Sequence, residues 1–417
     1  MTYQAIISRI KVHSVEGAKT LSQGFILGYS VAVDNKTRDD SLVLFFPSDG
    51  QLSEEFAAAN DLVYRGMDPV TGERLGGYFG PKRRVTSQKF FSGRIVSEGF
   101  ACPLEFLAYT GIDTSTLKEG DAFDSLKGYP VCNKYITEAT RKALSQNKKE
   151  QRYKDVTFPE HVETPQYKHV GHSIKPLSVV YITEKLHGTS GRMANVRVPV
   201  PNPWWKRLFG IKPRENYTVL HGSRRVILGE AKDVDGGYYG SNDFRYKVMN
   251  GVNLKPDEIL YYEIVGYMAP GSFIMHSQDT KELGSKDMTK RWGPRMEYKY
   301  GCPDGTAKAF VYRITQNGVE LSWDQVRKRA RSLGLDTVPE LDRFVVPDND
   351  FAIFDKVIKD LTEGASVLDT KHIREGVCLR VENEDGVSFI KNKSVEFGIL
   401  EGFIKNDETK VDIEEAA

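Results

Sequence analysis

Cysteine is scarce in this chain of 417 residues: there are four, at positions 102, 132, 302 and 378, with no CxxC pair and no metal-ligand spacing. That argues against a disulfide framework or a zinc ribbon, and it fits a reducing compartment, so a cytoplasmic protein is expected. Long apolar runs are missing too. No stretch has the length of a membrane span, and the opening MTYQAIISRI lacks signal-peptide architecture, so neither a membrane protein nor a secreted one is expected. Formal net charge is only +1, so binding to a polyanion must come from local patches. No Walker A glycine loop is present, which speaks against a P-loop ATPase. No internal repeat occurs either.

What is present is the composition of an ordinary globular protein, 40% hydrophobic and 28% charged, in a length that suits two or three domains. From Ala5 to about Cys132, segments such as AIISRIKVHSV, GFILGYSVAV and SLVLFF predict short strands between polar turns. A small β-barrel of OB type and a generic β-rich domain both satisfy that pattern. The run from Pro81 to Arg94 interleaves cations with aromatics. Lys82, Arg83, Arg84, Lys89 and Arg94 there either neutralise nucleic-acid phosphates while Phe90 or Phe91 stacks on a base, or alternate between solvent and core. The polar stretch from Lys142 to Gln166, with prolines at 159 and 165, reads as a helix end and a linker. The expected organisation is therefore 1–150, a linker at 151–166, and a second domain at 167–417.

The second domain reads as α+β. Strands are expected around Lys185, from Tyr217 to Ile227, Ile259 to Gly266 and Ala309 to Ile314, with two more near the end. Ser322 is placed to cap a helix that runs to Leu333 and stops at Gly334, and Phe351 to Leu361 predicts another. The cations Arg327, Lys328, Arg329 and Arg331 on the first of these read as a solvated face. The acidic tail KNDETKVDIEEAA is expected to fray.

The second domain is organised around Tyr181 to Ser190. Alternation up to Glu184 predicts a strand, and a tight Gly188-Thr189-Ser190 turn is expected to follow, leaving Lys185 at the strand mouth. A lysine there, partly desolvated beside a glycine loop, suits attack on a phosphate that approaches the backbone closely, although a solvated strand end gives the same pattern. A nucleophilic lysine must lose a proton whose ordinary pKa is about 10.4, and nearby positive charge assists this. Lys391 and Lys393, two apart on a strand, share a face where they repel unless an anion lies between them. Glu375 stands at the mouth of one apolar strand and Glu263 inside another, each a candidate for a hard metal ion or for a buried salt bridge. Arg224 is placed to grip a phosphate, and Tyr312 to stack on a purine or to join the core. The aromatic and basic insertion from Pro203 to Phe209 is either a contact surface or a packed hairpin.

Taken in order, these segments resemble the covalent nucleotidyltransferase superfamily of ATP-dependent ligases and capping enzymes. Glu184-Lys185-Leu186-His187-Gly188-Thr189-Ser190 is similar to nucleotidyl motif I in its RNA-ligase form, with histidine where DNA ligases carry aspartate. Ser223-Arg224 resembles motif Ia, Tyr262-Glu263-Ile264 motif III, Val311-Tyr312 motif IIIa, Glu375-Gly376 motif IV and Lys391-Asn392-Lys393 motif V. The chain departs from several RNA ligases in having Arg313, not aspartate, after the motif IIIa aromatic, and Arg225 beside Arg224 shifts motif Ia by up to one residue. A β-rich domain ahead of the core resembles the Deinococcus-type RNA ligases, which carry an amino-terminal OB module.

The resemblance implies an OB-like domain followed by an adenylyltransferase (ATP-grasp-like ligase) domain of antiparallel sheets with flanking helices. It implies ATP as AMP donor, Mg²⁺ or Mn²⁺ held by Glu263 and Glu375, and Lys185 as nucleophile. Glu184, Leu186, His187, Gly188, Arg224, Glu263, Tyr312, Glu375, Lys391 and Lys393 would line the nucleotide site. The implied partner is nucleic acid, a nicked duplex whose 3′-hydroxyl strand is RNA, sealed in RNA repair by a monomer. The alternatives are a DNA ligase, a capping guanylyltransferase, or a nucleic-acid-binding protein with a degenerate core. A chain begun near Tyr167 is expected to keep reacting with ATP and to lose sealing.

Overall fold

A computed structural model of the protein describes residues 3–91, 94–138, 140–141, 153, 156–200, 202–203, 209, 213–231, 241–280, 286–348 and 351–405. The chain divides into two compact units, one of residues 1–136 with 398–407, the other of 137–397 with 408–417.

The first unit is rich in β-structure. A four-stranded antiparallel sheet is built from Ala5–Arg9, Leu42–Pro47, Gly99–Pro103 and Ala122–Phe123, and a three-stranded one from Lys11–His13, Leu21–Ile26 and Tyr29–Asp34. GFILGYSVAV is a hairpin, not one strand: Leu27 and Gly28 both take positive φ (49° and 74°), the two-residue turn that matches strand twist. Ile7, Leu44, Phe46, Leu52 and Phe56 are fully buried together. Among the described residues these sheets do not join into a closed barrel.

In the second unit the strands are β1 (Val179–Glu184), β2 (Thr189–Val200), β3 (Arg214–Gly222), β4 (Ile227–Gly229), β5 (Glu258–Ala269), β6 (Ala307–Gln316), β7 (Glu340–Val345), β8 (Gly376–Asn383) and β9 (Gly386–Lys393). The main helices are α1 (Asp243–Val248), α2 (Trp323–Ser332) and α3 (Phe351–Thr362). One antiparallel sheet has the order β7-β1-β8-β9; the other carries β4-β3-β2-β5-β6. Each matches a hydrophobic pattern. Val180 and Ile182 on β1, Val377 and Leu379 on β8 and Ile390 on β9 pack against Phe354 and Ile358 of α3. Burial stabilises by about 1.5–3 kcal/mol for each such side chain. Ser322 caps α2 in a full capping box with Gln325. Arg329 of that helix is not on a solvated face: it grips the buried Glu258 through Nε and Nη2 at 2.6 and 2.7 Å.

Candidate active site

Lys185 lies where the chain leaves one sheet for the other. β1 ends at Glu184 and β2 opens at Thr189, so 185–188 bridge the two. The Lys185 backbone N–H donates to Gly376 O at 3.0 Å, and that of His187 to the Tyr300 hydroxyl at 2.7 Å. The expected Gly188-Thr189-Ser190 turn is replaced by the start of β2. Glycine is required at 188 for a different reason: a Cβ there would sit 2.4 Å from Ile264 O on β5. Arg245 of α1, itself buried, fixes the new strand by donating to Ser190 O (2.7 Å) and Thr189 Oγ1 (2.8 Å).

Behind Lys185 is Glu375, 1% exposed. Its Oε1 is 2.7 Å from Lys185 Nζ and 3.3 Å from Lys393 Nζ, and its Oε2 is 3.6 Å from His187 Nδ1. A carboxylate this deep is tolerated because cations surround it. Gly376 sets the approach: its φ of +147° and an imagined Cβ only 2.2 Å from Asn392 O allow no side chain where β8 meets β9 beside Lys393. The His187 ring packs against Tyr298 and Phe397 at 4.7 and 4.9 Å. Glu184 is buried, which raises its carboxyl above the ordinary range; Ser366, the Val367 N–H (2.9 Å) and Arg374 (3.9 Å) oppose that rise.

In front of Lys185 opens a cavity of about 190 Å³. Glu184, Lys185, Leu186, Gly188, Arg224, Glu263, Tyr312 and Lys391 all reach its wall. Ser190 Oγ donates to Glu263 Oε2 at 3.1 Å, holding the half-buried carboxylate on the cavity side. Tyr312 owes its position to a β-bulge. β5 pairs Tyr262 with Val311 and Tyr261 with Arg313, so Tyr312 is the extra residue on β6, and such a residue re-aims its neighbours. Burial and the nearby Glu263 push the Tyr312 hydroxyl pKa up, so it stays protonated. Arg313 answers to Glu320 at 2.8 Å and stacks over Tyr261 at 4.4 Å, so the departure from the aspartate pattern is locally compensated. Arg224 and Arg225 both line the cavity. Their turn is held by the buried Arg192, whose Nε donates to Ser223 O at 2.7 Å.

The family model for RNA ligases matches residues 178–393, which run from the start of β1 to the end of β9. The chain belongs to the RNA ligase family. Known structures agree in fold: an apo Naegleria gruberi RNA ligase variant has 15% identity, a TM-score of 0.58, and a match covering 95% of this chain and 97% of that one. A variant of the same enzyme with AMP and Mn gives 15% identity, a TM-score of 0.60 and 97% and 99% coverage. A third, with ATP and Mn, gives 15%, 0.58, and 94% and 98%. No curated protein matches.

Other residues of this RNA ligase lie apart from the sequence expectation. Arg84 is 8% exposed, stacked over Tyr135 at 4.5 Å with Asp49 at 4.0 Å, so it is packed inside the first unit and not offered to phosphates. Arg83 is half-buried and donates to Leu52 O and Pro81 O, both at 3.2 Å. Lys82, Lys89 and Arg94 are exposed. The Trp204-Trp205 pair and the tail from Asn406 lie outside the described residues. Sequence reasoning passed over Trp323, Cys378, Arg380 and Phe389 on the cavity wall. The last three sit on strands β8 and β9, whose alternation already marked one face. Burial pushes the Cys378 thiol up to about 11, which makes it a packing group and not a nucleophile.

Proposed function

We propose that the protein is an ATP-dependent RNA ligase with Lys185 as its nucleophile, sealing a 5′-phosphate to a 3′-hydroxyl at nicks whose 3′-hydroxyl strand is RNA, in RNA repair. The observation that carries this is an amine at the junction of two sheets, paired with a buried carboxylate at 2.7 Å, facing a cavity walled by Arg224, Lys391 and Tyr312.

Lys185, whose side chain is 18% exposed, releases its proton to water, and its Nζ lone pair attacks the α-phosphorus of ATP. The bond to pyrophosphate breaks and an N–P phosphoramidate, lysyl-AMP, forms. An oxygen of the 5′-phosphate then takes the AMP and returns Lys185 to its amine. The 3′-hydroxyl finally attacks that activated phosphate and AMP leaves. Each step needs alignment and charge stabilisation more than bond chemistry from the protein. Lys391 and Arg224 neutralise phosphate, Tyr312 stacks on the base, and Lys393 shares Glu375 with the nucleophile. Leu186 and Gly188 shape the cavity wall, and His187 braces Glu375 from behind.

Among the described residues no three His, Cys, Asp or Glu side chains form a metal cage. Mg²⁺ and Mn²⁺ suit a poorer donor set, one or two carboxylates plus water and substrate phosphates, and Glu263 on the wall with Glu375 behind the lysines fits that chemistry. When bound, the ion supplies positive charge to the phosphates. Lys82, Lys89 and Arg94 of the β-rich first unit, read as OB-like, would hold the nucleic-acid backbone. The reading takes the enzyme to act as a monomer in the cytoplasm.

Incubating the protein with α-labelled ATP and Mn²⁺ should leave a labelled band on a denaturing gel, with GTP far weaker. A nick with RNA on the 3′-hydroxyl side should be sealed at least about tenfold faster than an all-DNA nick, because the protein reads the ribose 2′-hydroxyl and A-form geometry at the break. No band at all would point to a nucleic-acid-binding protein with an inactive core. Equal sealing of both nicks would overturn the RNA assignment.

A further inference from the structure

The stretch ahead of the matched region, Phe158 to Gln166, crosses the cavity: Glu160, His161, Val162, Glu163 and Thr164 all line it. It is tied down at both ends by main-chain carbonyls. Arg192 Nη1 donates to Phe158 O at 2.9 Å while its guanidinium lies over the Phe158 ring at 4.6 Å. The Tyr261 hydroxyl donates to Pro159 O at 3.1 Å. At the far end the Lys391 N–H donates to Pro165 O at 2.9 Å, and Gln166 bridges to Lys391 in parallel. The donors are thus residues of β2, β5 and β9, the strands that also carry Ser190, Glu263 and Lys391.

Between these ties His161 enters an aromatic cluster. Its ring lies 5.0 Å from Tyr312 at 73°, 5.3 Å from Phe389 and 5.8 Å from Tyr261. Arg313 Nη1 is 3.4 Å from His161 Nδ1. A guanidinium only donates, so Nδ1 accepts and Nε2 carries the proton. Burial, reinforced by Arg313, Arg224 and Arg380, pulls its pKa down to about 3, so the ring is neutral at physiological pH and packs as an aromatic.

We propose that Phe158–Gln166 is a strap forming one wall of the nucleotide cavity, and that His161 is a positioning residue holding the Tyr312 ring in the orientation that receives the base. This rests on the ATP-dependent ligase reading. Tyr312 sits on a bulge, where the ladder restrains its backbone less than elsewhere on β6, so its side chain needs a neighbour to fix it. An edge-to-face ring favours one orientation of its partner over the others. The strap places that ring through the carbonyl hydrogen bonds at its ends, with the Phe158 ring held under Arg192.

The test compares the full-length parent with His161→Ala and His161→Phe, measuring ATP dependence of adduct formation. Loss of the ring should raise the apparent KM for ATP about tenfold, ~1.4 kcal/mol, with maximal rate within about twofold of the parent. His161→Phe, which restores an aromatic edge without the nitrogens, should bring KM back to within about threefold of the parent. An unchanged KM in His161→Ala overturns the proposal, as does a fall in maximal rate at constant KM, or equal impairment of the two variants. A parent that forms no adduct instead defeats the ligase reading itself.

Discussion

Replacing Lys185 with alanine abolishes the covalent ATP adduct, a loss of about a thousandfold or more, equivalent to ~4 kcal/mol of barrier. The reason is positional. Lys391 also reaches the cavity, and Lys393 shares the Glu375 carboxylate, but only Lys185 lies on the bridge between the two sheets, fixed by Gly376 O on one side and followed by Gly188 against Ile264 O on the other. Lys185→Arg separates charge from nucleophilicity. It keeps the positive partner of Glu375, yet a guanidinium is not deprotonated in proteins and cannot form the N–P bond. It should therefore melt near the parental temperature, and still give no labelled band. A band of normal yield in Lys185→Ala would refute the assignment.

Glu375→Ala should lower adduct formation by about a hundredfold, ~2.7 kcal/mol of barrier, and lower the melting temperature as well. The carboxylate holds two ammonium groups at 2.7 and 3.3 Å in a setting with almost no solvent. Removing one partner of a buried charge cluster costs about 3–5 kcal/mol, because the cations left behind lack compensation. Glu375→Gln keeps the shape and removes the charge, so it should fail nearly as badly. A metal titration divides the roles: recovery at high Mn²⁺ assigns Glu375 to the ion's water shell, and a flat, low response assigns it to alignment of Lys185 and Lys393. Parental activity in Glu375→Ala across the titration eliminates both.

Much of this site could be read from the chain because its signals are local. The continuous apolar run with Glu263 marks β5, which is buried on both faces, and the alternation through Val180, Ile182 and Glu184 marks β1, since strand side chains point to alternate faces. Lys391 and Lys393 share a face for the same reason. What escaped notice depends on groups that carry no side-chain signature. The strap is anchored through the carbonyls of Phe158, Pro159 and Pro165, so its polar, proline-containing text reads as a linker while its backbone behaves as part of the ligase unit. Arg84 shows the converse limit: an arginine among aromatics looks the same in sequence whether it stacks on Tyr135 or on a base. The strap also changes the expected result of truncation. A chain begun at Tyr167 lacks His161 and the acceptor for the Lys391 N–H, so it should lose adduct formation by about tenfold or more, the size of the His161 effect plus the lost ties. A chain begun at Val156 should retain it. Equal labelling of the two would show that the strap is dispensable.

The bulge on β6 has a meaning in the arithmetic of insertions. Counted against β5, with Val311 opposite Tyr262 and Arg313 opposite Tyr261, the ladder is already complete without Tyr312. Deleting that residue would leave Phe310, Val311, Arg313 and Ile314 opposite the β5 residues they now pair with, Glu263, Tyr262, Tyr261 and Leu260, in a ladder without the bulge. A one-residue deletion would therefore withdraw the ring that reaches the cavity while the pairing of β5 with β6 stays in register.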